Sequence, residues 1–147
     1  MPSISFVFLR NKEYYENWIF HKRGGISMKK VLTTEEFQRR VKMGFLNFAG
    51  TIITGDVSLA NRKLRGSLNF RKSTVKGVFH FEKGSISGDL NLREASIEGD
   101  LHLEQSHVGG KLNLTSCRVH GTLNRSASLV RGDIVIVDVQ SREYVRP

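Results

Sequence analysis

The sequence predicts an all-β chain: a parallel β-solenoid (β-helix) of 11-residue repeats, about 22 residues per coil, with a short N-terminal capping helix. Three observations lead there. Glycine recurs at every eleventh position, at 44, 55, 66, 77, 88, 99, 110, 121 and 132. Between the glycines, apolar residues recur two apart with polar residues between them. Alternate units carry like residues at like positions. A fixed period means one small unit stacked many times, because eleven residues cannot bury a core alone.

The units GDLNLREASIE (88–98) and GDLHLEQSHVG (99–109) display the pattern. Counting from the glycine, the second position holds Leu46, Val57, Leu68, Phe79, Leu90, Leu101, Leu112, Leu123 and Ile134. The fourth holds Phe48, Leu59, Phe70, Phe81, Leu92, Leu103, Leu114, Arg125 and Ile136. The ninth is Ile, Leu or Val from Ile53 to Val130, and the seventh is mostly small, from Thr51 through Cys117 to Ser128. Spacings of two mark a strand with one buried face, whereas an amphipathic helix needs spacings of three and four. A glycine every eleven residues would also break a helix. On this reading the glycines sit at bends between short strands, where backbone freedom is needed.

Parity sets the coil. The third position reads Asn47, Asn69, Asn91 and Asn113 in one set of units, and Ser58, His80, His102 and Asn124 in the other. The fifth splits into Arg71 and Arg93 against Glu82 and Glu104. Two units therefore make one coil, each coil rising roughly 4.8 Å, and the asparagines are expected to hydrogen-bond along their stack.

The ends break the pattern. Thr33 with Glu36 forms a capping box, and Leu32 with Phe37 a hydrophobic staple. Phe37 and Val41 share a helical face, and Gly44 closes the helix, which would cover the open first coil. The chain thus divides into an aromatic and basic extension (1–31), the capping helix (32–43), the solenoid (44–138) and a tail (139–147). The extension holds six of the thirteen aromatic residues. Within it Ile4, Phe6 and Phe8 alternate like a strand, and Glu13 to Phe20 reads as a short helix. It is either an arm that packs on the solenoid or on a partner, or a start-site artefact, the native protein then opening with MKKVLTTEEF at Met28. At the far end Ile134, Val135, Ile136 and Val137 lose the polar alternation. They mark a last strand covered on both sides, by the tail or by another subunit.

The strings GDLNLREASIEGDLHL and VGGKLNLTSC resemble bacterial β-solenoid proteins, notably the bactofilins, and less closely the pentapeptide-repeat proteins. The likeness covers residues 44 to about 138. It implies a bacterial, polymer-forming cytoskeletal scaffold: a structural protein without enzymatic activity or cofactor that self-associates or binds a protein partner.

Composition narrows the alternatives. One cysteine, Cys117, in a small inward column reads as a buried structural thiol. With no signal peptide, it also places the chain in a reducing, cytoplasmic setting. No segment reaches membrane-span length. There is no phosphate-binding loop, dinucleotide glycine motif, nucleophile elbow, HExxH or paired cysteine.

The net charge is +9. Arg62, Lys63, Arg65, Arg71, Lys72 and Lys76 bunch with no acid between them. Such a cluster suits nucleic acid or an anionic membrane surface, which is the alternative function. His80, Glu82, His102 and Glu104 would form a two-by-two grid on one outer face, with His107 on the next. Imidazole and carboxylate are ligands for zinc or nickel, although strand-face pairs more often make simple polar contacts. A metal or enzymatic role ranks third. Arg125, in an inward column, is expected either to sit where the coil opens or to reach Asp133 or Asp138.

Overall fold

Alternating apolar residues two apart cannot fill a helix face, and here they fill the inside of a four-sided parallel β-solenoid. The computed structural model describes residues 18–20 and 28–146. Each coil spans 22 residues, as the register shows: Leu90 pairs with Leu112, and His80 with His102. Four faces follow in turn around the coil. The first stacks Leu68–Asn69, Leu90–Asn91, Leu112–Asn113 and Ile134–Val135. The second stacks Thr51–Ile53, Thr74–Val75, Ser96–Ile97 and the start of Arg118–Asn124. The third stacks Val57–Ser58, Phe79–His80, Leu101–His102 and the end of Arg118–Asn124. The fourth stacks Lys63–Leu64, Ser85–Ile86, His107–Val108 and Leu129–Val130.

The inward positions make one continuous core. Leu68, Phe70, Phe79, Phe81, Leu90, Leu92, Ile97, Leu101, Leu114 and Leu123 are all fully buried. The small seventh position matters because its side chain also points inward. Ser73 and Ser106 are buried there, and each hydroxyl donates to the carbonyl three residues back, Phe70 at 2.5 Å and Leu103 at 2.6 Å. A hydroxyl so satisfied can be buried at little cost.

The glycine ladder has a different reason from the one its spacing implied. Left-handed backbone falls six residues after each glycine from Gly55 onward, at Asn61, Lys72, Lys83, Glu94, Gln105, Ser116, Ala127 and Asp138, with φ between 56° and 62°. Along the ladder itself only Gly44 and Gly66 have positive φ. What excludes a side chain is close approach. Gly88 donates its N–H to the Gly66 carbonyl at 2.8 Å, and Gly110 donates to Gly88 at 2.9 Å. A Cβ on Gly88 would stand 2.8 Å from the Gly66 oxygen and 2.9 Å from its carbon. Glycine therefore stacks on glycine at the corners.

Position one supplies a second seam. Asp56, Asp89 and Asp100 each accept, through Oδ1, the backbone N–H 22 residues on: Val78 at 2.8 Å, Lys111 at 2.7 Å and Thr122 at 2.9 Å. The asparagine column behaves otherwise than expected. Asn69, Asn91 and Asn113 accept from the N–H two residues on, at 3.0, 2.9 and 3.0 Å, so they close local turns rather than bridge coils.

The N-terminal cap forms as the sequence reads. The helix spans Thr34–Lys42; Thr33 Oγ1 accepts from the Glu36 N–H, and Glu36 accepts from the Thr33 N–H. At its other end, Gly44 donates to Val41 and Phe45 to Arg40, both at 2.9 Å, which closes a Schellman motif. The helix covers the third face of the first coil: Thr34 Oγ1 donates to the Asp56 carbonyl, and Gln38 Nε2 donates to that of Ser58 at 2.8 Å. Phe37 enters the core against Phe48, with ring centroids 4.6 Å apart.

Two boundaries move. Met28–Leu32 is a solenoid rung, parallel to Thr51–Ile53, so the stack begins before the helix and inside the segment read as an extension. Trp18–Phe20 pairs antiparallel with Met28–Lys30, a strand where the sequence suggested a helical end. The alternation at Ile4, Phe6 and Phe8 lies outside the described residues. Beyond the expected end at 138, Gln140–Val145 is a full strand on Arg118–Asn124 rather than a tail. A register shift between Val119 and Thr122 puts Tyr144 over Leu123, one residue earlier than the repeat predicts. That displacement hides the rung from an eleven-residue count.

Candidate functional site

The His–Glu grid exists as a stacked array. The His80 and His102 rings lie 5.3 Å apart at an interplanar angle of 9°. Each Nδ1 faces the glutamate of its own unit, Glu82 at 3.1 Å and Glu104 at 3.0 Å. Asn124 Nδ2 donates to Glu104 at 3.5 Å, and Asp100 lies 3.8 Å from His102 Nε2. The four side chains run as two parallel columns, each imidazole facing its own carboxylate. Among the described residues, no group of three or more His, Cys, Asp or Glu side chains is arranged to hold a metal ion. His107 stands on the fourth face, lining a shallow groove with Ser85, Ser87, Gly109, Leu129 and Arg131.

The basic cluster is dispersed. Folding brings acids from the next coil to it: Lys72 lies 3.9 Å from Glu94, and Lys76 lies 3.3 Å from Glu98. Arg62 donates through Nη1 to Gln38 of the cap helix at 3.2 Å. Lys63, Arg65 and Arg71 stay exposed, but Lys63 belongs to the fourth face, Arg65 to the corner that follows it, and Arg71 to the corner between the first and second faces. The stretch without acids in sequence is thus partly neutralised in space, because neighbours in the stack are 22 residues apart.

Cys117 is fully buried, and burial pushes its thiol up to about 12. A thiol held protonated is a poor nucleophile. At the cap, burial and the Arg40 charge lower the Lys30 pKa, against an upward pull from Glu36.

The C-terminal end is where the fold is incomplete. Ile134 and Ile136 continue the columns of Leu112 and Leu114, which are 1% and 0% exposed, yet they are 43% and 37% exposed themselves. Val137 and Leu129 are exposed beside them. The sequence expected a strand buried on both sides; instead its inner residues lie open and Val135 is only half-buried. The strand Gln140–Val145 covers the second and third faces and leaves the first uncovered.

Arg125 is 6% exposed, and its partner is neither Asp133 nor Asp138. Its Nε donates to the Tyr144 hydroxyl at 2.9 Å, and its guanidinium carbon lies 5.9 Å from the centre of that ring. Arg125 Nη1 and Ser128 Oγ are buried without a hydrogen-bond partner. Tyr144→Phe is expected to destabilise the chain by about 1–3 kcal/mol, since it strands a buried charged donor. Arg125→Leu should be neutral or stabilising, because it removes the buried charge itself. Urea unfolding of both variants checks the pair.

The residues that sequence reasoning overlooked, Leu129, Arg142, Glu143 and Tyr144, all gather at this end. No helix of the described chain is long and apolar enough to cross a membrane. Comparison with protein-family models, with curated proteins and with solved structures finds no match to this chain.

Proposed function

We propose that this protein is a non-enzymatic structural scaffold that self-associates through the C-terminal end of its solenoid. The observation that carries this reading is the asymmetry of the two ends. A helix with a capping box and a Schellman closure covers the first coil. The last coil presents Ile134, Ile136 and Val137 to solvent, together with strand edges that have no partner among the described residues. Such an edge is a template for further pairing, and repeat arrays need terminal units that block it. The resemblance of the repeat to the bactofilins supports self-association, although the helical cap departs from their pattern. Dispersal of the basic cluster, with two of its lysines beside glutamates, weakens the case for a nucleic-acid or membrane module.

Sedimentation of the full chain across protein concentration tests the proposal. The expected result is a concentration-dependent assembly that persists in high salt. Ile134→Lys combined with Ile136→Lys should weaken assembly by more than about 100-fold, because burying each isoleucine is worth about 1.5–3 kcal/mol. These residues are already exposed, so melting of the single chain should barely change. A chain that stays monomeric at every concentration, or that assembles only on nucleic acid or acidic vesicles in a salt-sensitive manner, overturns the proposal.

A further inference from the structure

We infer that the partner at the open end is a second copy of this chain, joined tail to tail through Gln140–Val145, and that assembly closes at two. The inference rests on the self-association proposed above and adds its geometry.

Head-to-tail stacking fails at the capped end. There the helix lies where a third-face rung would continue, and Thr34 and Gln38 already donate to the Asp56 and Ser58 carbonyls that such a rung would need. On the second face the outermost strand, Trp18–Phe20, runs antiparallel to its neighbour, against the sense of every other rung. A parallel edge arriving from another copy would meet the wrong strand direction on one face and a helix on another.

Tail-to-tail stacking meets no such conflict. A two-fold axis perpendicular to the rod keeps the hand of the coil but reverses the direction in which the second copy's chain runs around the rod, so the meeting edges run antiparallel. Gln140–Val145 is the longest of these terminal edges, six residues paired on one side only. Centring the axis on this strand places Arg142 opposite Glu143 of the second copy, and Glu143 opposite its Arg142. Ser141 then faces Tyr144, and Gln140 faces Val145. Arg142 and Glu143 are both exposed, and among the described residues Glu143 has only a 3.5 Å contact from the Thr122 hydroxyl. Opposite charges placed directly across antiparallel strands stabilise the pairing, and like charges oppose it. A self-complementary pair at the centre of a free edge is what an isologous contact requires. The uncovered Ile134 and Ile136 and the unmet Arg125 Nη1 and Ser128 Oγ lie at this same end.

The test is a charge exchange read by sedimentation equilibrium. Wild type should plateau at the mass of two chains. Arg142→Glu alone and Glu143→Arg alone should each weaken association at least 10-fold, since each sets like charges against like. An equimolar mixture of the two variants should recover the two-chain mass, because every cross-strand pair is then complementary. The doubly exchanged chain, Arg142→Glu with Glu143→Arg, should also associate on its own. Unchanged melting curves for the single variants separate loss of contact from loss of fold. Single variants that associate like wild type, a mixture that fails to recover, or a mass that grows past two chains each overturn the inference while leaving self-association standing. A wild-type chain that stays monomeric overturns self-association itself.

Discussion

Gly88→Ala is expected to destabilise the protein by about 3 kcal/mol, the upper end of what overpacking costs, whereas Lys83→Gly should leave stability unchanged or raise it by up to about 1 kcal/mol. The two substitutions separate two roles that glycine plays in other turns. At Gly88 the added carbon would stand 2.8 Å from the Gly66 oxygen, and that atom is backbone held in the coil below. Neither coil can retreat without breaking the hydrogen bond between Gly88 and Gly66. At Lys83 the backbone lies at φ 59°, a conformation that costs an L-residue roughly 1–2 kcal/mol and costs glycine little. The Lys83 side chain is exposed, so removing it sacrifices little packing. Denaturation midpoints measured at constant slope would show the opposite signs. If Gly88→Ala proves mild, close approach is not what the ladder is for.

Phe37→Ala should cost about 3–5 kcal/mol and turn the N-terminal end into a second association surface. Phe37 is fully buried, with its ring centroid 4.6 Å from that of Phe48 and 5.9 Å from that of Phe70. Removing it opens a cavity between helix and first coil and loosens the element that shields the third face of that coil. Thr33→Ala, which deletes only the N-cap acceptor, should cost about 1 kcal/mol. Thermal melts combined with light scattering distinguish the two. A large loss with growing aggregates is expected for Phe37→Ala, and a small loss with none for Thr33→Ala. Equal effects would mean that the helix is held by its cap rather than by its packing.

The coil was legible because it is written in two independent columns. Apolar residues at positions two and four gave the strand, and the parity of Asn69 and Asn91 against His80 and His102 gave the 22-residue turn. The capping box was legible for the opposite reason: Thr33 and Glu36 interact within one turn, so their spacing in sequence is their spacing in space. Other readings failed where partners are one coil apart. Lys72 and Lys76 looked unopposed because Glu94 and Glu98 follow 22 residues later. Arg125 was matched with nearby aspartates, whereas its partner, Tyr144, arrives through a register shift that no period encodes.

By itself, the sequence determined the architecture, the length of the coil, the identity of the inward columns and the cap. These follow from local alternation and a strict period, which fix where each side chain points. The tertiary structure alone decided which residue in each unit takes the left-handed turn, and that the ladder glycines serve close approach. It also decided how the charges of neighbouring coils offset one another and that the stack runs to Val145 with its last coil uncovered. Those outcomes depend on which coil lies above and which below, and only the assembled stack supplies that neighbour.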